Sequence, residues 1–163
     1  GTAEGGLKIT LYNINGLNPS SPSIDFLNEW FFKTMHHEFA HILHQTKNYS
    51  TDFNLISTDY QGPSWLNLES DAVANKMGYV TCYASYSPDE DFVEIISNYV
   101  THAKGYWESV LATAGEEGGD KLARKFEIVR NYLQESWGID IDKLRDIVQK
   151  RSANISQLDL KTL

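Results

Sequence analysis

The residues from Phe26 to Gln45 form an uninterrupted stretch that contains neither proline nor glycine. Apolar residues recur through this stretch at three- and four-residue spacings, as they do on the buried face of an amphipathic helix. These residues are Leu27, Trp30, Phe31, Met35, Phe39, Ile42 and Leu43. Ser23 or Asp25 can cap the start of such a helix, because both side chains accept hydrogen bonds from free backbone amides. The sequence therefore predicts one long helix against which other elements must pack.

The other segments predict more helices and little sheet. Leu7–Leu11 alternates apolar and polar residues, the pattern of a half-buried strand, and Tyr79–Tyr83 is a second candidate extended segment. Residues 46–66 are rich in Asn, Ser, Thr and Asp, which indicates a long surface connection. Gly78 and Ser87 are expected to end and to begin helices as C-cap and N-cap. Helices are predicted over 68–77, from Pro88 to about Gly105, and over 106–113, 119–136 and 141–152.

The fold class follows from these elements and from the size of the chain. With 163 residues, of which 41% are hydrophobic, the chain has material for one core, so a single domain over 1–163 is expected. In that domain, residues 1–24 form a strand and a loop that lead into the long helix. The predicted class is mainly α, formally α+β, with one small sheet made from the two extended segments.

Composition excludes some functions and leaves others open. The net charge of -8 and the pI near 5.0 would repel a phosphate backbone, so nucleic acid is not an expected partner. No apolar run approaches the length of a membrane span, and any signal peptide or lipid-attachment cysteine would lie upstream of Gly1. Cys82 is the only cysteine, which precludes an intramolecular disulfide and favours a small packed residue over a nucleophile. Oligomeric state is not indicated.

Within the long helix, His37-Glu38-Phe39-Ala40-His41 carries the chemistry. Positions four apart lie on one helix face about 6 Å apart in rise, so both imidazoles can reach one ion. Glu38 lies one position further round, where it can act as a general base toward water instead of as a ligand. A random order of this composition would give the pattern about once in a hundred sequences, so coincidence is the weaker explanation. The spacing indicates a zinc site.

A catalytic zinc needs a third protein ligand, and three of the four candidates fit poorly. His44 is too far along the helix from His37 to share one ion with it, and suits a supporting position on the helix face better. Asp91 points about 100° away from its neighbour Glu90 on the helix. His102 lies two turns deeper than Glu94, where a buried, hydrogen-bonded histidine is the usual explanation.

Glu90 is the favoured third ligand. It lies in the first turn of the helix that starts at Pro88, and Glu94 shares its face one turn later. Glu94 can then accept a hydrogen bond from a ligand imidazole and fix its orientation. The alternative is that Glu90 serves only as the acid of a capping box with Ser87 and that Glu94 is a solvated charge.

At these residues the chain resembles the gluzincins, zinc metallopeptidases that carry His-Glu-x-x-His on one helix and a glutamate ligand on the next. More closely, segments 37–45, 83–84 and 90–94 resemble the zinc metallopeptidase lipoproteins associated with TonB-dependent nutrient import in Bacteroidetes. The resemblance implies a zincin-like helical domain. It implies a lipoprotein at the cell envelope or surface, with nutrient-import proteins of the outer membrane as partners.

The resemblance also assigns roles to residues. His37, His41 and Glu90 correspond to the zinc ligands, Glu38 to the base and Glu94 to the carboxylate that supports a ligand. Tyr83 lies seven residues before the ligand glutamate, where lethal-factor-like gluzincins place a tyrosine that donates to the developing oxyanion. Tyr86 is the substitute for this role, and an aromatic residue packed beside the helix is the alternative for both tyrosines. Val93 replaces the alanine that is usual before the second glutamate.

These observations predict a zinc metallopeptidase that cleaves a peptide or amide bond with a zinc-activated water and Glu38 as general base. The strand Leu7–Leu11 is expected to border the cleft and to pair with an extended peptide. The rival prediction is a non-catalytic, zinc-containing binding module that holds a glycan or a partner protein of a nutrient-import system. In that case Tyr49, Tyr60 and Trp65 would supply its stacking surfaces. The presence of Glu38 beside the histidines favours the enzyme, because a structural zinc has no use for a base.

Overall fold

The structure is a computed structural model that describes residues 1–5, 8–16, 18 and 23–157. It is mainly helical, with one two-stranded antiparallel sheet, as the sequence predicts. The strands are β1 (Thr2–Glu4) and β2 (Lys8–Thr10), and the helices are α1 (Ile24–Leu27), α2 (Lys33–Thr46), α3 (Phe53–Ile56), α4 (Asp71–Met77), α5 (Pro88–Thr101), α6 (Lys104–Trp137) and α7 (Ile141–Ala153). None of the helices in the described ranges is apolar enough over a sufficient length to cross a bilayer.

The long N-terminal helix is confirmed and has a wider turn within it. Ser23 caps its start by accepting a hydrogen bond from the Phe26 amide at 3.3 Å. Between α1 and α2 the backbone stays helical but takes a π-helical turn over Asn28–Phe32. Such wider turns change the direction of the side chains that follow and often lie near functional sites.

The predicted pairing of the sheet is wrong. β2 is the central part of the predicted strand Leu7–Leu11, of which Leu7 lies outside the described residues. Its partner is β1, in the register Thr2 to Thr10 and Ala3 to Ile9. Tyr79–Tyr83 forms no strand, because side chains form hydrogen bonds with backbone groups that a strand partner would need. Asn75 donates to two carbonyls there, at 2.9 Å each, and Asp71 accepts from the Cys82 amide at 2.7 Å.

Glycines and caps set most helix ends where the sequence places them. Gly78 and Gly138 adopt left-handed backbone after α4 and α6, with φ of 94° and 67°. The predicted break between 113 and 119 is found at Gly115, whose φ of 70° and ψ of -164° are not helical, so α6 consists of two helical segments that meet at a kink there. The helix from Pro88 does not extend to Gly105 as predicted, since α5 ends at Thr101 and Gly105 lies in the first turn of α6.

Helix α5 lies at the centre of the molecule. Every residue from Asp91 to Thr101 is buried, and α2, α6 and α7 pack around the helix. The connection over 46–66 is largely irregular, with α3 and the start of a 3-10 turn, Gly62–Asn67, as its regular parts. The packing of α2 on α5 brings the two sequence motifs face to face.

Candidate metal centre and active site

The first contacts of the site join α2 to the first turn of α5. Ser87 caps α5 by accepting from the Glu90 amide at 3.3 Å, and Pro88 supplies the first helical residue. This start leaves the Glu90 side chain directed at α2, where Oε2 lies 3.0 Å from His37 Nε2 and 3.3 Å from His41 Nε2. Glu90 is therefore more than the acid of a capping box.

These three side chains form a donor set that suits zinc. One ligand atom from each of His37, His41 and Glu90 lies within 4.8 Å of the others. Two ligands at about 2 Å from a tetrahedral zinc are about 3.3 Å apart, close to the separations found here. Two imidazoles and one carboxylate also match the ligand types of catalytic zinc sites. The residues present therefore fit a zinc ion.

Buried hydrogen bonds fix the ring of His37. Its Nδ1 lies 2.8 Å from Glu94 Oε1, which leaves Nε2 directed at Glu90. The other oxygen of Glu94 accepts from Thr81 Oγ1 at 2.7 Å and from Asn98 Nδ2 at 3.1 Å. A carboxylate that is held this way selects the tautomer of a ligand histidine and increases its basicity. Glu94 thus lies within hydrogen-bonding distance of a candidate ligand histidine, the position that the sequence analysis expects. The contacts of Thr81 and Asn98 with Glu94 were not predicted from the sequence.

His44 supports the second histidine. Its Nε2 lies 2.9 Å from His41 Nδ1, so the two histidines of one helix face interact directly. Burial lowers the pKa of His44, which favours a neutral ring whose Nε2 accepts a hydrogen bond from His41 Nδ1. His44 is held in turn by edge contacts with the rings of Tyr49 and Phe92. The sequence predicts such a supporting position but not its partner.

The electrostatics of the centre favour a cation. Burial lowers the pKa of His37, but hydrogen bonds to Glu90 and Glu94 outweigh burial and raise it to about 9. Burial raises the pKa of Glu90, but His37 and His41 hold it well below its usual value. Two carboxylates thus face the imidazoles, and a positive charge between these groups is stabilised.

Glu38 and Tyr83 border the cavities at this centre. Glu38 is 6% exposed, and it lines a cavity of about 310 Å³ together with His37, His41 and the first residues of the chain. The ring of Tyr83 lies 5.9 Å from that of His37 and lines the same cavity. Burial and the Glu90 carboxylate raise the pKa of Tyr83, so its hydroxyl keeps the proton that a donor needs.

Tyr86 and the sheet are placed differently from Tyr83. Tyr86 stacks on Tyr83, with ring centroids 6.1 Å apart, and is 39% exposed. It is not one of the described residues that line the two cavities next to Glu38. Thr2 and Ala3 of β1 line the smaller cavity, whereas the sequence led us to expect the strand Leu7–Leu11 at this border. Strand β1, and not β2, is therefore the strand at the site.

The remaining candidate residues lie away from the centre. Asp91 is fully buried and its Oδ2 lies 2.6 Å from Lys125 Nζ. His102 Nδ1 donates to the Asn98 carbonyl at 2.9 Å, and its ring stacks on Tyr106. Burial and a neighbouring aspartate raise the pKa of Cys82 to about 11, which opposes its use as a nucleophile.

Two of the three aromatic residues of the rival binding surface serve the core. Tyr49 stacks on Phe92 at 4.1 Å and donates to Asp89, and Tyr60 donates to Asp91 at 2.9 Å. Trp65 alone lines a cavity at the site. The long connection therefore packs onto α5 and does not present a continuous aromatic surface.

A histidine pair one helical turn apart, a glutamate beside it and a facing carboxylate on the next helix are the parts of a zinc-binding metallopeptidase. The model of the family described as "Putative zinc-binding metallo-peptidase" matches residues 1–142, and this chain belongs to that family. A crystal structure at 2.10 Å from Bacteroides caccae, described in the same words, is similar to it with a TM-score of 0.84 and 44% sequence identity.

The similarity to the Bacteroides caccae protein covers 98% of this chain and 60% of that one, so this chain spans about three fifths of its relative's length. No curated protein matches the chain.

Proposed function

We propose that this chain is a zinc metallopeptidase of the gluzincin type, in which His37, His41 and Glu90 hold the metal. The observation that carries the proposal is the convergence of three ligand atoms within 4.8 Å of one another, next to Glu38, at the edge of a cavity. Membership of a zinc-binding metallopeptidase family supports the same function.

The residues of the chain divide the work of hydrolysis. Zinc held by this donor set supplies a Lewis acid that polarises a carbonyl and lowers the pKa of water. Glu38 takes the proton from the attacking water and passes it to the leaving amine, since a carboxylate beside the ligands can do both in turn. Tyr83 donates a hydrogen bond to the oxygen on which negative charge develops. Glu94 and His44 hold the ligand rings in place.

The test of the mechanism is Glu38→Gln, which keeps the shape of the side chain and removes the base. We expect bound zinc to stay near one per chain while cleavage of a peptide mixture falls by about 10²–10⁴-fold, the usual contribution of a general base. Glu116→Gln removes one exposed carboxylate from α6 and is the matched control. Turnover that survives Glu38→Gln would sink the mechanism. Zinc-loaded wild type that cleaves no peptide would favour the binding module.

The test of the ligand set is Glu90→Ala, measured by elemental analysis after dialysis against metal-free buffer. We expect bound zinc to collapse in Glu90→Ala and to persist in Glu116→Ala, because a two-histidine site binds zinc much more weakly than a three-ligand site. Wild type without zinc would reduce His37 and His41 to packing residues.

We further propose, from the family resemblance alone, that the native protein is a lipoprotein of the cell envelope or surface. There it would act on a peptide or protein substrate beside outer-membrane proteins for nutrient import. In cells that produce the full-length protein, we expect incorporation of labelled palmitate and digestion by a protease added to intact cells. A protein that takes up no lipid label and remains protected until lysis would contradict this location.

A further inference from the structure

A second, larger cavity also borders Glu38. It has a volume of about 500 Å³, and its lining includes His37, Glu38 and Tyr83 as well as Trp30, Trp65 and Asp71. Because His37, Glu38 and Tyr83 line both cavities, a peptide bound at the candidate zinc site would have one of its side chains next to this space. We call it the tryptophan cleft.

Two tryptophans form apolar parts of the tryptophan cleft. Trp30 lies in the π-helical turn and is 62% exposed, an unusual exposure for such a large apolar ring. Trp65 lies edge-on to Tyr83, with ring centroids 5.1 Å apart and planes at 71°. The turn that carries Trp65 is tied to the Tyr83–Tyr86 turn, since the Gln61 amide donates to the Ser85 carbonyl at 2.7 Å. Trp65 is therefore fixed relative to the candidate active site.

The charge available to a ligand in the tryptophan cleft is negative. Two cations in the lining are compensated by carboxylates: Lys33 Nζ lies 2.7 Å from Glu29 Oε1, and the Gly1 ammonium lies 3.7 Å from Glu38 Oε1. Asp71 is exposed, and its Oδ1 accepts from the Cys82 amide at 2.7 Å, which fixes the position of the carboxylate. Within the ranges that the structure describes, Asp71 forms no ion pair.

We infer that the tryptophan cleft is a subsite for a basic side chain of the substrate, a lysine or an arginine next to the bond that is cut. This inference rests on the proposed peptidase function. The aliphatic stem of such a side chain packs on indole surface, and its cation is attracted by the ring faces and by Asp71. A carboxylate in the same place would be repelled by Asp71. Trp65 and Asp71 are then residues that determine specificity.

Binding measurements can test the subsite without turnover. The probes are blocked alanine hexapeptides in which one position in turn carries lysine, its uncharged analogue norleucine, or glutamate. Their affinities are measured by calorimetry on zinc-loaded Glu38→Gln. We expect lysine in one position to bind about tenfold tighter than norleucine, the combined effect of a cation–π contact and an ion pair, and glutamate to bind weakest.

Variants assign the preference to the residues named. Asp71→Asn should remove the ion-pair part of the advantage of lysine over norleucine and leave about threefold from the cation–π contact, and Trp65→Ala should weaken both peptides. Glu116→Gln, which removes the same amount of negative charge away from the cleft, should leave the ratio unchanged. Equal affinities for lysine, norleucine and glutamate at every position would overturn the inference, as would a lysine preference that Asp71→Asn leaves undiminished.

The two proposals fail in different ways. If the wild type cleaves peptides but neither cleaves nor binds basic ones preferentially, the peptidase proposal stands and the subsite is wrong. If Glu38→Gln binds lysine peptides preferentially through Asp71 and the zinc-loaded wild type cleaves none of them, the subsite stands and the peptidase proposal is wrong.

Discussion

Replacement of Lys125 by methionine should destabilise the protein strongly, because it leaves a buried carboxylate without its cation. Lys125 and Asp91 are both fully buried, with Nζ and Oδ2 2.6 Å apart. Lys125 also donates to the Gly78 carbonyl at 2.7 Å and lies 4.2 Å from the centre of the Tyr79 ring. Methionine keeps the length and the apolar stem of lysine, so the change removes the charge and its hydrogen bonds more than it removes packing.

The magnitude follows from the burial of the pair. Removal of one partner of a fully buried ion pair costs about 3–5 kcal/mol, because the other charge cannot be solvated. For a chain of this length, such a loss lowers the melting temperature by about 6–20 °C. Loss of the hydrogen bond to the Gly78 carbonyl acts in the same direction. The effect on the free energy of unfolding should therefore be much larger than that of an ordinary surface change.

Denaturant unfolding with excess chelator measures this loss without the contribution of bound zinc. Lys143→Met is the matched control, since Lys143 is exposed on α7, and it should change the free energy of unfolding by about 0.5 kcal/mol or less. Asp91→Asn combined with Lys125→Met should cost clearly less than the sum of the single variants, because no charge remains buried. Additive losses, or a Lys125→Met protein as stable as Lys143→Met, would refute the reasoning.

Three further predictions concern the metal, the thiol and the helix packing. His44→Ala should weaken zinc binding about 10–100-fold in a chelator competition, and the exposed Gln45→Ala should not; equal affinities would show that His44 does not support His41. Because the pKa of Cys82 is raised to about 11, its labelling by iodoacetamide should still rise about tenfold per pH unit between about pH 8 and 10, and a plateau near 8.5 would contradict this. In thermal melts Gly118→Ala should lose about 1–3 kcal/mol, because its Cβ would lie 2.3 Å from the Asn75 carbonyl oxygen, whereas Gly119→Ala should be neutral or stabilising; equal melts would contradict the close approach.

Local patterns made part of the structure predictable. The helix that carries His37 and His41 repeats its apolar residues at helical spacing, and the repeat needs no knowledge of distant segments. Ser87 begins α5 through a hydrogen bond that lies within four residues, and Gly78 ends α4 in a backbone conformation that glycine favours. The histidine pair and the start of the glutamate helix were thus accessible from the sequence.

Contacts between segments that are distant in sequence were not accessible in this way. Thr81 reaches Glu94 only because the chain before α5 folds back over that helix, and no spacing rule relates the two residues. Tyr79–Tyr83 has the composition of a strand, but the Asn75 side chain donates hydrogen bonds to two of its carbonyls. Strand propensity does not include such competition from side chains. Strand β1 has three residues, too few for alternation to mark it.

The burial of α5 has a consequence for how this protein can change. Glu90 and Glu94 belong to a helix whose residues from Asp91 to Thr101 are all buried, so most substitutions there would lower the free energy of unfolding. Trp30 and Trp65 lie on the periphery, in a π-helical turn and a short 3-10 turn, where side chains can be exchanged at small thermodynamic cost. The architecture therefore places the proposed metal site on the buried helix and the proposed subsite on exposed turns, so changes at the subsite would leave the candidate metal ligands undisturbed.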